Sequence, residues 1–192
     1  LELELKRQGI WLESELAPQP EPNSKHPPEQ ILAVVYSPRL KELVSTTNKD
    51  SENLYAENLR LILGNQPAQL WSKWQIEKQD LRLVDGSGLA RRNSLKPRSV
   101  VQLLQAMAHN SSFRNSLAIA GQDGTLKSRL AGTQIIAKTG TLDGIAALAG
   151  YILGAPELAF AVIINHGAPQ PRHNRQVLDA IALELSRSCN LP

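Results

Sequence analysis

The feature that most constrains this chain lies in its last third. Three apolar runs, "QIIAKTG" (134–140), "TLDGIAALAGYIL" (141–153) and "ELAFAVIINHG" (157–167), follow one another with only short connections. They are followed by an amphipathic stretch, "PRHNRQVLDAIALELSRS" (171–188), with Val177, Ile181, Leu183 and Leu185 expected inward. The order strand, turn, strand, turn, strand, helix favours an antiparallel sheet covered by helices, an α+β arrangement.

Upstream, "QILAVVYSP" is expected to be a buried strand ended by Pro38, and "RLKELVSTTNKDSENLYAENLRLILGN" is expected to be helical. Leu40, Leu43 and Val44 share one face, and Leu54, Leu59, Leu61, Ile62 and Leu63 continue the apolar pattern up to Gly64. "STTNKDSEN" holds poor helix formers, which predicts a break between two helices there. Trp71 and Trp74 are spaced for one helical face and are expected to pack a helix. "DLRLV" alternates and runs into the turn signal "DGSG"; Pro97 then opens a helix with Val100, Val101, Leu103, Leu104 and Met107 on its inner side. "IAGQDGTLKSRLAGT" reads as glycine-punctuated loop. At the N-terminus, "LELELKRQGI" fits a helix end closed by Gly9 or a short strand, and residues 17–28, with five prolines, an exposed extended loop.

Composition narrows the function. Of 192 residues, 42% are hydrophobic, enough for a core. The net charge of +3 is scattered, with no basic run, so nucleic acid is not indicated. A single cysteine, Cys189, forms no internal disulfide, and no Cys/His pair has metal-ligand spacing, so neither metal nor cofactor is expected. No apolar run is long enough to span a membrane, and no stretch is expected to act as a signal peptide.

Two short motifs carry chemistry. In "KTG", the Lys138 ammonium supplies a positive field, the Thr139 hydroxyl a hydrogen bond, and Gly140 a close approach to backbone, which together suit an anion such as a carboxylate. An exposed strand-end lysine beside a turn explains the tripeptide equally well. In "SEN", Ser51 and Asn53 sit at the helix break and can face one cleft, the Asn amide being suited to a peptide bond. The plainer alternative makes one of them a helix N-cap.

Ser-x-Asn followed by Lys-Thr-Gly is two thirds of the motif set of penicillin-binding proteins and β-lactamases. Four blocks, "NKDSENLYAENL", "RLVDGSGLARRNSLKP", "GQDGTLKSRLAGT" and "AKTGTLDGIAALAGYI", occur in order. On these residues the chain resembles the D-alanyl-D-alanine carboxypeptidase/endopeptidase branch of the penicillin-binding protein 4 type (low-molecular-mass class C). The resemblance runs from about Ala33 to the C-terminal helix. It implies a partial transpeptidase-like domain of the penicillin-binding protein/β-lactamase fold over residues 33–192, with residues 1–32 the tail of an inserted region. It also implies roles. Ser51 relays protons, Asn53 binds the substrate amide carbonyl, and Lys138 sets the field. Thr139 contacts the terminal carboxylate, Gly140 lies beside it, and the backbone N–H of Thr141 forms half of an oxyanion hole. The implied substrate is a peptidoglycan stem peptide ending in D-Ala-D-Ala, β-lactams bind the intact enzyme, and the location is extracytoplasmic.

Such an enzyme also needs Ser-x-x-Lys, and no serine here has a lysine three residues on. Thr46 and Lys49 have the spacing, with a poorer nucleophile. In the family that motif lies far N-terminal, so the chain reads as a C-terminal part, or as a pseudoenzyme that binds peptide without cleaving it. By itself it is expected to be inactive. Missing strands would leave apolar surface and an unpaired edge, to be covered by another chain or by dimerisation. A Ser-His-Asp hydrolase built from Ser87, His166 and Asp85 or Asp143 is the competing enzymatic reading; Ser87 lacks the nucleophile-elbow pattern. The "DGSG" segment otherwise fits a tight turn with Asp85 bonding local backbone. His26, His109, His173, Arg91 and Arg92 are expected to be surface residues, and Cys189 incidental.

Overall fold

The computed structural model describes residues 34, 36–64 and 67–189, the side chains of 67–69 excepted. The expected N-terminal helix end or strand and the proline-rich loop lie outside these residues. Residues 38–192 form one compact unit. Where "QILAVVYSP" is described, Val34 and Tyr36 are exposed and outside any strand, so the expected buried strand is not seen there.

Two helices, α1 (Leu40–Lys49) and α2 (Asn53–Leu63), meet at the expected break. A short helix α3 (Pro67–Lys73) leads to strand β1 (Leu81–Arg82), paired with β2 (Ser94–Leu95) around the "DGSG" loop. Trp71 and Trp74 pack edge to face, 5.8 Å between ring centres. Helix α4 (Pro97–Met107) starts at its proline, whose missing N–H is unneeded at a helix start, and α5 (Ser111–Ser116) is capped by Asn110. The remaining elements are β3 (Ala118–Ile119), β4 (Ile135–Leu142), β5 (Ile145–Ile152), β6 (Leu158–Ile164) and α6 (Pro171–Cys189).

Strands β3 to β6 form one antiparallel sheet in chain order. Alternation along β5 explains why both faces are covered. Ala146, Leu148 and Ile152 point to one side, where they meet Leu178 and Ala182 of α6 with Leu126, Leu130 and Phe160. Ala149 and Tyr151 point to the other, where Leu104 of α4 and Leu117 complete a second core. Buried Tyr151 donates its hydroxyl to the Leu104 carbonyl at 2.5 Å, and Arg114 lies 4.6 Å from its ring centre while gripping Glu157 through two 2.7 Å contacts. Tyr151→Phe leaves that carbonyl unpaired and is expected to lower stability by about 1 to 2 kcal/mol. Urea unfolding of the two proteins measures it, and an unchanged midpoint would show that the hydroxyl contributes nothing.

Helix α6 corrects one expectation. Its buried stripe is Asn174, Leu178, Ala182 and Ser186, a spacing of four, while Val177 and Ile181 are exposed at 39% and 38%. A polar residue leads the stripe because the Asn174 amide both accepts from Ala168 N–H and donates to Ala168 C=O, closing the turn before the helix. Leu40, Leu54, Leu61, Ile62 and Leu63, which carry the apolar pattern of α1 and α2, are exposed. Cys189 packs half-buried against the first core. Among the described residues, β6 pairs only with β5, so its outer edge is open. No helix among them is long and apolar enough to cross a membrane.

Candidate active site

The α1–α2 junction places the first motif. Helix α1 ends at Asp50, whose N–H bonds to the Thr46 carbonyl, and Ser51 then adopts φ +61°. A non-glycine residue in that left-handed region is uncommon and is held only when its surroundings demand it. Helix α2 is capped by neither Ser51 nor Asn53. The Glu52 carboxylate takes the Leu54 N–H instead, which leaves the Ser51 hydroxyl and the exposed Asn53 amide clear of capping. The plainer reading of "SEN" as a cap is therefore incorrect by one residue.

The second motif rides on β4, which runs past Gly140 to Leu142, so Thr141 is a strand residue. Beyond Ala137 the strand has β5 on one side only, because β3 pairs with just Ile136 and Ala137. The Ile135 carbonyl faces the β3 side, where it accepts from Ala120 N–H. With a strand's period of two, the backbone groups of Thr139 and Thr141 face the same side, along an edge that no described strand covers. Lys138 and Thr139 point to opposite faces at this edge.

The two motifs meet. Lys138 Nζ donates to Ser51 Oγ at 2.9 Å and to the Thr139 carbonyl at 2.7 Å. Burial pushes the Lys138 ammonium below the ordinary lysine value. Thr139 Oγ1 lies 2.9 Å from Thr125 Oγ1. Of the sequence-predicted residues, Ser51, Lys138 and Thr139 are thus joined by hydrogen bonds, Gly140 and Thr141 continue the strand along the edge no described strand covers, and Asn53 stands two residues past Ser51 at the start of α2.

The "DGSG" loop braces this arrangement. Asp85 accepts from Gly88 N–H, Ala90 N–H and the Asn93 amide, which holds its carboxyl below the usual range, the Asn93 bond contributing most. Glu57 of α2 accepts Gly86 N–H at 2.5 Å while paired to Arg60. A Cβ at Gly86 would come within 2.5 Å of the Ala56 carbonyl oxygen, so the loop can lie this close to α2 only as glycine. Arg91 lies at the surface, as expected, and reaches Asp143 in the β4–β5 turn. The Ser87 hydroxyl accepts from Leu89 N–H, and among the described residues no hydrogen bond joins His166 to Ser87. The Ser-His-Asp alternative therefore has no assembled geometry. Thr46–Lys49 is no nucleophile pair either, since the Lys49 ammonium is taken by Asp123. Glu57, Asp123 and Thr125 were not singled out from sequence; the last two lie inside the quoted "GQDGTLKSRLAGT" block, the one signal that pointed at them.

Comparison with known proteins decides the family. The model of the D-Ala-D-Ala carboxypeptidase 3 (S13) peptidase family matches residues 1–185. The chain belongs to this family. A D-alanyl-D-alanine carboxypeptidase of Actinomadura sp. (strain R39) is 34% identical over 184 residues, covering 82% of this chain and 34% of the relative. Penicillin-binding protein 4 (dacB) from Haemophilus influenzae, solved with a β-lactam, superposes with a TM-score of 0.66 at 28% identity, over 76% of this chain and 41% of that one. The TLA-3 extended-spectrum β-lactamase, at 20% identity and TM-score 0.63 over 77% of this chain and 63% of that one, shows the shared fold. The S13 chain described here spans about a third of the length of the curated relative. Its fold is the penicillin-binding protein/β-lactamase type, α+β with an antiparallel sheet.

Proposed function

We propose that this chain is the substrate-recognition part of a serine-type D-Ala-D-Ala carboxypeptidase/endopeptidase site, and that alone it binds peptidoglycan stem peptides without cleaving them. The observation that carries this is the 2.9 Å bond between Lys138 and Ser51, which unites two motifs 87 residues apart at an open strand edge. A peptide laid along β4 can add as a further strand, its backbone paired with the edge-facing groups of Thr139 and Thr141. Its terminal carboxylate then meets the field of Lys138 and the hydroxyl of Thr139, with Gly140 presenting no side chain. The Thr141 N–H serves as half of an oxyanion hole, and the Asn53 amide holds the peptide carbonyl. Ser51, hydrogen-bonded to a lysine whose proton affinity burial has lowered, is placed to pass a proton to a leaving amine. In an enzyme that also supplies Ser-x-x-Lys, the reaction runs through an acyl-serine, and β-lactams are acylating inhibitors. Such substrates put the protein outside the cytoplasm, at the cell wall. A second copy would dock on the surface that missing strands leave, at the edge of β6 that no described strand pairs, and analytical ultracentrifugation reads that directly.

Calorimetric titration with diacetyl-Lys-D-Ala-D-Ala and with its C-terminal amide tests the reading. The acid is expected to bind at least about tenfold more tightly, since a hydrogen bond to a charged group is worth about 1.5 to 3 kcal/mol. Equal affinity for both peptides, or none for either, sinks it.

A further inference from the structure

We propose that Thr125 is a positioning residue for the carboxylate site, orienting and polarising the Thr139 hydroxyl toward a bound anion. This rests on the reading of Lys138 and Thr139 as that site. A threonine hydroxyl has one hydrogen to donate and lone pairs to accept with. To donate to a substrate carboxylate, Thr139 Oγ1 must direct its only hydrogen outward. Thr125 Oγ1, 2.9 Å away, can then donate to Thr139 Oγ1, replacing the bond lost and strengthening the one made to the anion. Without Thr125, the Thr139 hydroxyl has no described partner that fixes its direction.

The surroundings of Thr125 are built to hold it. It lies in the single helical turn Gly124–Leu126, whose Leu126 is fully buried in the first core. Gly124 has φ +51°, and a Cβ there would come within 2.5 Å of the Lys49 carbonyl oxygen, so the turn is seated directly on the end of α1. Asp123, two residues before Thr125, pairs with Lys49, two residues before Ser51, and also accepts Ile119 N–H at 2.6 Å. Three side-chain links close a ring: Lys49 to Asp123, Thr125 to Thr139, and Lys138 to Ser51. The segment 119–126 is therefore a strut between the two motif-bearing elements, and Thr125 is its contact with the anion-binding hydroxyl.

The test compares the unaltered chain, Thr125→Val and Thr125→Ser for binding of diacetyl-Lys-D-Ala-D-Ala and its C-terminal amide by calorimetry, with thermal melting of each. Thr125→Val, which keeps the shape and removes the hydroxyl, is expected to weaken the acid roughly three- to tenfold. It leaves the amide and the melting temperature unchanged, and Thr125→Ser restores the acid. Equal loss for acid and amide, a loss that serine does not restore, or no change for the acid overturns the role of Thr125 alone. Absence of acid binding by the unaltered chain overturns this proposal together with the proposed function.

Discussion

Lys138→Met is expected to weaken binding of a D-Ala-D-Ala acid by about ten- to a hundredfold while leaving the fold no less stable. The first half follows from charge-assisted hydrogen bonding to the carboxylate, worth about 1.5 to 3 kcal/mol. The second follows from burial. Desolvation holds the folded-state pKa of Lys138 below the unfolded value of 10.5. Below the folded pKa the side chain is charged in both states, and the folded chain bears the whole cost of burying the ammonium. As pH rises from the folded pKa to 10.5, the folded chain releases its proton first and that cost is relieved. The native chain is thus expected to gain stability over this window relative to Lys138→Met, a residue of similar length with no charge. Peptide affinity moves the opposite way, falling as pH rises through a value lower than an exposed lysine would give. Thermal melts of both proteins at neutral and alkaline pH, beside a pH series of titrations, read the two trends. A variant that melts much lower at neutral pH, or that binds the acid undiminished, contradicts the assignment. The combination matters, because a lysine kept charged at a thermodynamic disadvantage is what a binding site requires and a structural ion pair does not.

The sheet was legible because β4, β5 and β6 are long apolar runs joined by short turns, and no helix accommodates that pattern. Helix α6 was legible as an element but not in its orientation. Its stripe includes Asn174 and Ser186, and a reading that sends apolar residues inward put Val177 and Ile181 there instead. The polar choice is dictated by the Ala168 backbone, a neighbour that only the folded chain supplies. The site divides in the same way. Ser51, Lys138 and Thr139 could be named because their motif spacing is distinctive. Glu57 and Asp123 could not, because each is an ordinary acidic residue until a particular N–H or ammonium faces it. Glu52 shows the limit sharply: three adjacent residues can all cap a helix, and the chain caps with the one lacking a part in the motif. That choice keeps Ser51 available to Lys138, so the local cap and the long-range contact are two results of one backbone conformation.

No fluorescent penicillin is expected to remain on this chain after denaturation, at any concentration that labels a complete family member to saturation. Acylation needs a hydroxyl whose proton is taken as it attacks, and a lysine one helical turn away is the base this constellation uses. No serine of the chain has such a lysine. Two hydroxyls of the candidate site already hold hydrogen bonds. Ser51 accepts from Lys138, and Thr139 is bonded to Thr125. Thr46, the residue with the right spacing to a lysine, is denied its base because Asp123 holds Lys49 as an ion pair. Burial pushes the Asp123 carboxyl up, but the Ile119 N–H and Lys49 together hold it below the ordinary range, which favours the carboxylate of this ion pair. With its ammonium held by the Asp123 carboxylate, Lys49 is not free to take a proton from Thr46. Asp123→Asn weakens that hold, yet Thr46 lies inside α1, before the junction that carries Ser51, so labelling is expected to stay absent in this variant too. A stable label on the native chain would show that one of these hydroxyls is activated by a route the fold does not display. A label appearing only with Asp123→Asn would identify Thr46 as a latent nucleophile and Lys49 as its base. The expected result, reversible binding of the acid peptide with no covalent trapping of penicillin, separates recognition from chemistry within one active site.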